Sequence, residues 1–200
     1  MTLEPNRVDI ERHIELLTQP WRDADLVANA EIRCLSEKAG TKSILFNPSD
    51  GDETDDAVSN LIRLNEVGWN GYICVNPIDP NHHTTSSDKN IIGAFFAFID
   101  ADDKNASSKI SNSPIIPHFG VLTGTVPEKR MHAYWSISDV PSLELWTELQ
   151  SRMIEYFGSD PAIKNPSRIM RLAGTVSYPN ERKILRGYSP EITYLLENTQ

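Results

Sequence analysis

Phe95-Phe96-Ala97-Phe98-Ile99-Asp100-Ala101-Asp102 is the stretch on which the reading of this chain turns. Residues 91–99 are the most apolar run in the sequence. A strand buried on both faces fits them. The run ends at once in acid. Along a strand alternate side chains share a face, so Asp100 and Asp102 point the same way. Two carboxylates side by side repel each other, and a divalent cation relieves the repulsion. Hard oxygen ligands suit Mg2+ or Mn2+. The other reading is a plain acidic turn, with Asp103 and Lys104 in solvent.

Two further segments carry candidate chemistry. In Arg130-Met131-His132-Ala133-Tyr134-Trp135, alternation puts Arg130, His132 and Tyr134 on one face and Met131, Ala133 and Trp135 on the other. A guanidinium beside an imidazole forms a phosphate clamp. Equally, the pair reads as a structural histidine and a surface arginine. The segment from Gly158 to Thr175 supplies Asp160, either a third carboxylate or a cap before Pro161. It also supplies Arg168 and Arg171, at a spacing that puts both on one side of a helical turn.

Outward from these motifs, the rest of the chain reads as alternating helices and strands. Residues 5–20 read as a helix ended by Pro20, and 55–67 as a second helix. Strands are expected at 31–35, 43–46, 71–76, 119–123 and 131–137, with a turn at Gly40. Residues 79–90 read as a polar, mobile loop, and 104–118 as another loop. A helix is expected at 141–157 with Ser142 as N-cap. The tail, 184–196, reads as one or two strands broken at Ser189-Pro190. There is no GxGxxG or GxxxxGK[ST] motif, so α+β sheet layers are favoured over a doubly wound nucleotide fold.

Composition bounds the class. The 200 residues are 39% hydrophobic and 24% charged, as in an ordinary soluble domain. No apolar run reaches 18 residues and the N-terminus lacks a signal-like apolar region. Cys34 and Cys74 form no CxxC pair, and a reducing cytoplasm is the expected setting. The net charge is −9, but it is unevenly spread. Residues 1–103 carry 8 Lys/Arg against 19 Asp/Glu, and residues 104–200 carry 11 against 9. The basic stretch from Lys164 to Arg186 is either a phosphate-binding face or a solvated surface.

The order of these motifs resembles the primase–polymerase domain of the archaeo-eukaryotic primase superfamily, in its plasmid- and phage-borne RepB-type branch. The similarity covers roughly residues 28–186. It includes Ala30-Glu31-Ile32-Arg33, Gly71-Tyr72-Ile73-Cys74-Val75-Asn76-Pro77 and Leu172-Ala173-Gly174-Thr175, where the family usually reads Leu-Pro-Gly-Thr. The resemblance implies an α+β fold with an RRM-like antiparallel catalytic sheet and a packed N-terminal α/β subdomain. It implies a helical segment at 1–27 and a catalytic domain at 28–200, in what would be a fragment of a longer replication protein. Asp100, Asp102 and Asp160 would hold two Mg2+ or Mn2+ ions. His132 and Arg130 would contact nucleotide phosphates. Thr123, in the turn Thr123-Gly124-Thr125 whose amides would approach phosphate, would join them with Arg168, Arg171 and Lys183. The implied activity is template-directed primer synthesis or extension from dNTPs or NTPs on single-stranded DNA, with a helicase domain as a further partner. Two alternatives remain at this level: a rolling-circle-type endonuclease, which needs a His-apolar-His metal pair that Asn81-His82-His83-Thr84 does not supply, and an inactive nucleic-acid-binding module of the same fold.

Overall fold

The computed structural model describes residues 3–102, 104–138 and 142–197; residues 1–2, 103, 139–141 and 198–200 lie outside it. Helix α1 (Arg7–Asp23) is capped by Asn6, whose side chain accepts from the amides of Val8 and Asp9. Pro20 does not end it. It sits in the last turn, where burial of Trp21 one residue later holds the chain helical. Strands β1 (Ala30–Ser36) and β2 (Gly40–Phe46) form a hairpin, followed by α2 (Gly51–Glu66), capped by Asp50, and β3 (Asn70–Cys74).

The loop at 79–90 is tied down rather than mobile. Its polar side chains satisfy buried partners. Glu31 is fully buried and accepts from the Ser86 amide (3.2 Å) and hydroxyl. Asp88 accepts from the Ser167 amide at 2.9 Å and the Ser167 hydroxyl at 2.6 Å.

Strand β4 (Phe96–Ala101) is shorter than the apolar run that announces it, and it lies at a sheet edge. An open edge would leave buried amides and carbonyls unpaired. Here side chains close it. Trp146 Nε1 donates to Phe96 O (2.8 Å), and the Gln150 side chain bonds both Phe98 N and Phe98 O. The Ser159 hydroxyl accepts from Asp100 N (3.2 Å) and donates to Asp100 O (2.7 Å). Helix α3 (Lys104–Ser111) replaces the expected loop; its serine-rich sequence hides the one apolar pair, Ala106 and Ile110, that it buries at i, i+4.

Strands β5 (Phe119–Gly124) and β6 (Arg130–Ser136) pair antiparallel, with a bulge between Leu122 and Gly124. Helix α4 (Leu143–Phe157) begins at its Ser142 cap and ends at Gly158 in the left-handed conformation. Strand β7 (Ile169–Arg171) contradicts the helical turn expected for Arg168 and Arg171, because Tyr72, Ile73 and Cys74 pair with it in an extended ladder. After β8 (Val176–Ser177), the tail forms α5 (Glu181–Leu185), capped by Asn180, so Ile184 and Leu185 are helical rather than extended. Strands β9 (Glu191–Ile192) and β10 (Tyr194–Glu197) follow.

Every strand pair is antiparallel. One sheet runs β2-β1-β3-β7, the other β10-β5-β6-β4, and β8 pairs with β9. One core joins them, reaching from Ile10, Ile14 and Leu17 of α1 through Ile32 and Ile73 to Phe98, Tyr134 and Trp146. Tyr134 stacks on Phe119 with ring centroids 4.5 Å apart. It therefore belongs to the interior, although it shares a strand face with His132. The architecture is α+β with antiparallel sheets, as expected. Among the described residues no helix is long and apolar enough to cross a membrane.

Candidate active site

A cleft of about 330 Å3 opens between the two sheets. Its lining includes Asp100, Asp102, Thr123, Arg130, His132, Arg168, Arg171 and Lys183. The register explains the acidic side. Asp100 on β4 stands directly opposite His132 on β6, and side chains opposite one another share a face. His132 Nε2 lies 3.5 Å from Asp100 Oδ1, at the outer limit of a hydrogen bond.

The carboxylates are under electrostatic stress. Burial, then the charge of Asp160, pushes the Asp100 pKa up to about 6. Burial and then Asp100 raise that of Asp102. Asp100 Oδ1 is buried without a hydrogen-bond partner. Two raised carboxylates and an orphaned oxygen form a donor set that fits a hard divalent cation. Among the described residues, however, no three His, Cys, Asp or Glu side chains converge closely enough to hold one.

Asp160 is the exception among the expected site residues, because it does not line the cleft. Its Oδ1 accepts from Ala162 N (2.8 Å) and caps a short 3-10 turn, Pro161–Lys164. Its Oδ2 lies 3.9 Å from Arg168 Nη2. The neighbouring Ser159, bonded to the backbone of Asp100, fixes this turn beside β4.

Histidine and arginine form the remaining walls. Burial, followed by the charge of Arg171, pulls the His132 pKa down to about 3, so the ring is neutral. Arg171 donates to Asn70 Oδ1 (2.8 Å) and the Tyr72 hydroxyl (2.7 Å), with its guanidinium 4.7 Å from the Tyr72 ring centroid. Arg130 is nearly buried. It donates to Glu191 Oε2 (3.0 Å) and Val126 O (2.9 Å) and lies over the Tyr188 ring at 4.4 Å. Lys183 Nζ lies 5.5 Å from the same ring centroid.

The Thr123-Gly124-Thr125 turn has a second occupant that sequence reasoning missed. The Glu191 carboxylate accepts from Thr125 N (2.8 Å), the Thr125 hydroxyl (2.6 Å) and Val126 N (3.2 Å). Of the amides expected to approach phosphate, that of Thr125 is thus engaged by Glu191. Burial works against that carboxylate, but the Thr125 bonds outweigh it and hold its pKa below the usual glutamate value. A side chain at Gly124 would have to displace the Arg130–Glu191 pair. A Cβ on it would stand 2.0 Å from Arg130 Nη2 and 2.7 Å from Glu191 Oε2.

Asn70, Tyr72, Tyr178 and Tyr188 also line the cleft and escaped the sequence reading. No chemistry-bearing spacing links them; the antiparallel pairing of β3 with β7 brings Asn70 and Tyr72 to Arg171. His82 and His83 do not line it. His82 contacts Thr85 O and Asn90 within its own loop.

Solved structures similar to this chain include the AEP domain of the cyanophage S-2L primase–polymerase, with TM-score 0.64 and 27% identity over 98% of this chain and 91% of that one. The primase RepB′ gives TM-score 0.63 at 14% identity, over 96% of this chain and 56% of that one. The catalytic domain of RepB′ in complex with initiator DNA gives 0.53 at 16%, over 94% and 85%. The last two likenesses concern the fold alone. No family model matches the sequence, and no curated protein matches it.

Proposed function

We propose that this chain, whose fold is that of an archaeo-eukaryotic primase–polymerase domain, performs template-directed nucleotidyl transfer on single-stranded DNA, making or extending primers from dNTPs or NTPs. The observation that carries this reading is the opposition in one cleft of two stressed carboxylates, Asp100 and Asp102, to the cations Arg130, Arg168, Arg171 and Lys183. A nucleoside triphosphate with its divalent ions matches that polarity: metal against the acids, phosphate oxygens against the bases.

Asp100 and Asp102 would hold the divalent ions, Mg2+ or Mn2+, whose chemistry would be activation of the 3′-hydroxyl and stabilisation of the leaving pyrophosphate; Asp160 would have to leave its cap on Ala162 N to join them. The chain's own groups do the positioning. Arg171, braced by Asn70 and Tyr72, presents its guanidinium to the triphosphate from a fixed direction. Arg130 is held by Glu191 and acts in the same way. His132 is neutral and contributes a hydrogen bond rather than a charge. The catalytic domain is assigned to residues 28–200, with residues 1–27 as a helical segment packed on it through Ile10, Ile14, Leu17 and Trp21. With an overall charge of −9, this domain alone is proposed to hold template weakly, and a helicase domain to supply further grip.

The test is incorporation of labelled dNTPs and NTPs on single-stranded DNA, with and without primer, in Mg2+ and Mn2+. Metal-dependent product is expected, and none from an Asp100→Ala/Asp102→Ala double variant. Equal product from that variant would overturn the reading.

A further inference from the structure

Four buried polar atoms without hydrogen-bond partners stand in one region of the core beneath the cleft: His13 Nε2, Tyr134 Oη, His132 Nδ1 and Asp100 Oδ1. Unsatisfied buried groups are costly, and four together call for an account. The rings are neighbours. Tyr134 lies between the two imidazoles, with its centroid 5.6 Å from that of His13 and 6.4 Å from that of His132, each edge-on.

The proton order is dictated from one end. Ala173 N donates to His13 Nδ1 at 3.1 Å. That nitrogen therefore carries no proton, and His13 Nε2 carries one. A donor at Nε2 calls for an acceptor, and Tyr134 Oη is the neighbouring group that can accept and then donate onward. His132 Nδ1 is free to accept from it. His132 Nε2 then carries the ring proton toward Asp100 Oδ1. Each unpartnered atom has one place in this sequence, and none is left over.

We propose that His13 and Tyr134 are positioning residues that fix His132 as its Nε2–H tautomer, through a row of hydrogen bonds from Ala173 N–H to Asp100, closed by single bridging waters where the side chains do not meet. The consequence rests on the primase–polymerase reading above. His132 would present that same Nε2–H, released once Asp100 turns its carboxylate to a cation, at a set angle to a phosphate oxygen in the cleft. Without the row the ring would divide between two tautomers, one of which offers phosphate only a lone pair.

The experiment pairs a spectroscopic arm with a kinetic one. Long-range 1H–15N spectra of the metal-free full chain should show His132 protonated at Nε2 alone, and His13 likewise. Tyr134→Phe removes only the hydroxyl; it leaves two buried partners unpaired and should lower the melting temperature while the chain still folds. It should divide His132 between tautomers while leaving His13 fixed by Ala173. His13→Gln tests the row from its far end and should also mix the His132 signals. In incorporation assays Tyr134→Phe should raise the nucleotide KM about tenfold, the worth of one buried hydrogen bond, with kcat within about twofold. A His132 ring protonated at Nδ1, or one whose tautomer is unmoved by Tyr134→Phe, would overturn the proposal. The spectra need no turnover. A His132 tautomer that responds as described in a chain with no incorporation would uphold the row and sink the function reading instead.

Discussion

The two four-stranded sheets are built alike, yet they bring different chemistry to the cleft: one carries the acids and a histidine beside an arginine, Arg130, that is already paired, and the other carries Arg171. The β10-β5-β6-β4 sheet contributes Asp100 and His132 from adjacent strands, both close to an apolar interior, with the more exposed Asp102 just beyond β4. Their charged forms are penalised, and the Asp100 and His132 pKa values move in opposite directions for the same reason, burial. The β2-β1-β3-β7 sheet contributes Arg171, which lies on a tyrosine ring and is held by neutral hydrogen bonds. One wall is strained and the other relaxed. A bound nucleotide with its metal satisfies the strained wall, whereas the relaxed wall is preorganised to receive it.

The largest effect expected from breaking this contrast is at Asp100. Asp100→Asn should reduce incorporation by about a thousandfold or more. It should also stabilise the fold at pH 8. A raised carboxyl pKa means that the ionised form costs stability above pH 6, by roughly 2 kcal/mol here after allowing for partial exposure. Chemical denaturation at pH 8 checks the sign; a less stable variant would show that Asp100 is not strained.

On the opposite wall Arg171→Met should raise the nucleotide KM by roughly 10- to 100-fold, the range for a hydrogen-bonded charge, with little change in stability. Steady-state kinetics beside a melting curve separates the two. Beneath both walls, Gln150→Leu should destabilise the protein by about 2 kcal/mol or more, because Phe98 N and O would lose their partners at the edge of β4. Urea titration measures it.

The smallest effect expected is in the pH dependence of stability. His13 and His132 both have folded pKa values near 3, well below the usual 6.5, so each costs stability as pH falls below 6.5. The slope is about 1.4 kcal/mol per pH unit for each. Between pH 6 and 4 Asp100 works in the opposite sense and cancels one of them. Taken by themselves these three groups give a slope of about 1.4 kcal/mol per unit in that window, and His13→Gln should flatten it.

The same contrast explains what the sequence made legible. The acidic wall was readable because Asp100, Asp102, Arg130 and His132 lie in two short segments whose strand alternation places the side chains. The α+β class followed from the alternation of elements, and the cap at Ser142 from its spacing to a helical run. The basic wall was only half readable. Arg168 and Arg171 stood out by charge, but their spacing mimicked a helical turn, and only the pairing of β7 with β3 reveals the strand. Asn70, Tyr72 and Glu191 went unnoticed because their partners lie 61 to 101 residues away in the chain. Polar tracts misled for a related reason. Ser86 and Asp88 looked like solvent residues, but they serve as hydrogen-bond partners of Glu31 and Ser167.

The most direct test of the two-wall account is the affinity of the full chain for a nucleoside triphosphate, measured by calorimetry with and without Mn2+. The account predicts that the ion tightens binding at least about tenfold, and that an Asp100→Asn/Asp102→Asn variant loses this metal dependence while Arg171→Met weakens binding in both conditions. Nucleotide affinity that is the same with and without the ion, in the wild type, would contradict it.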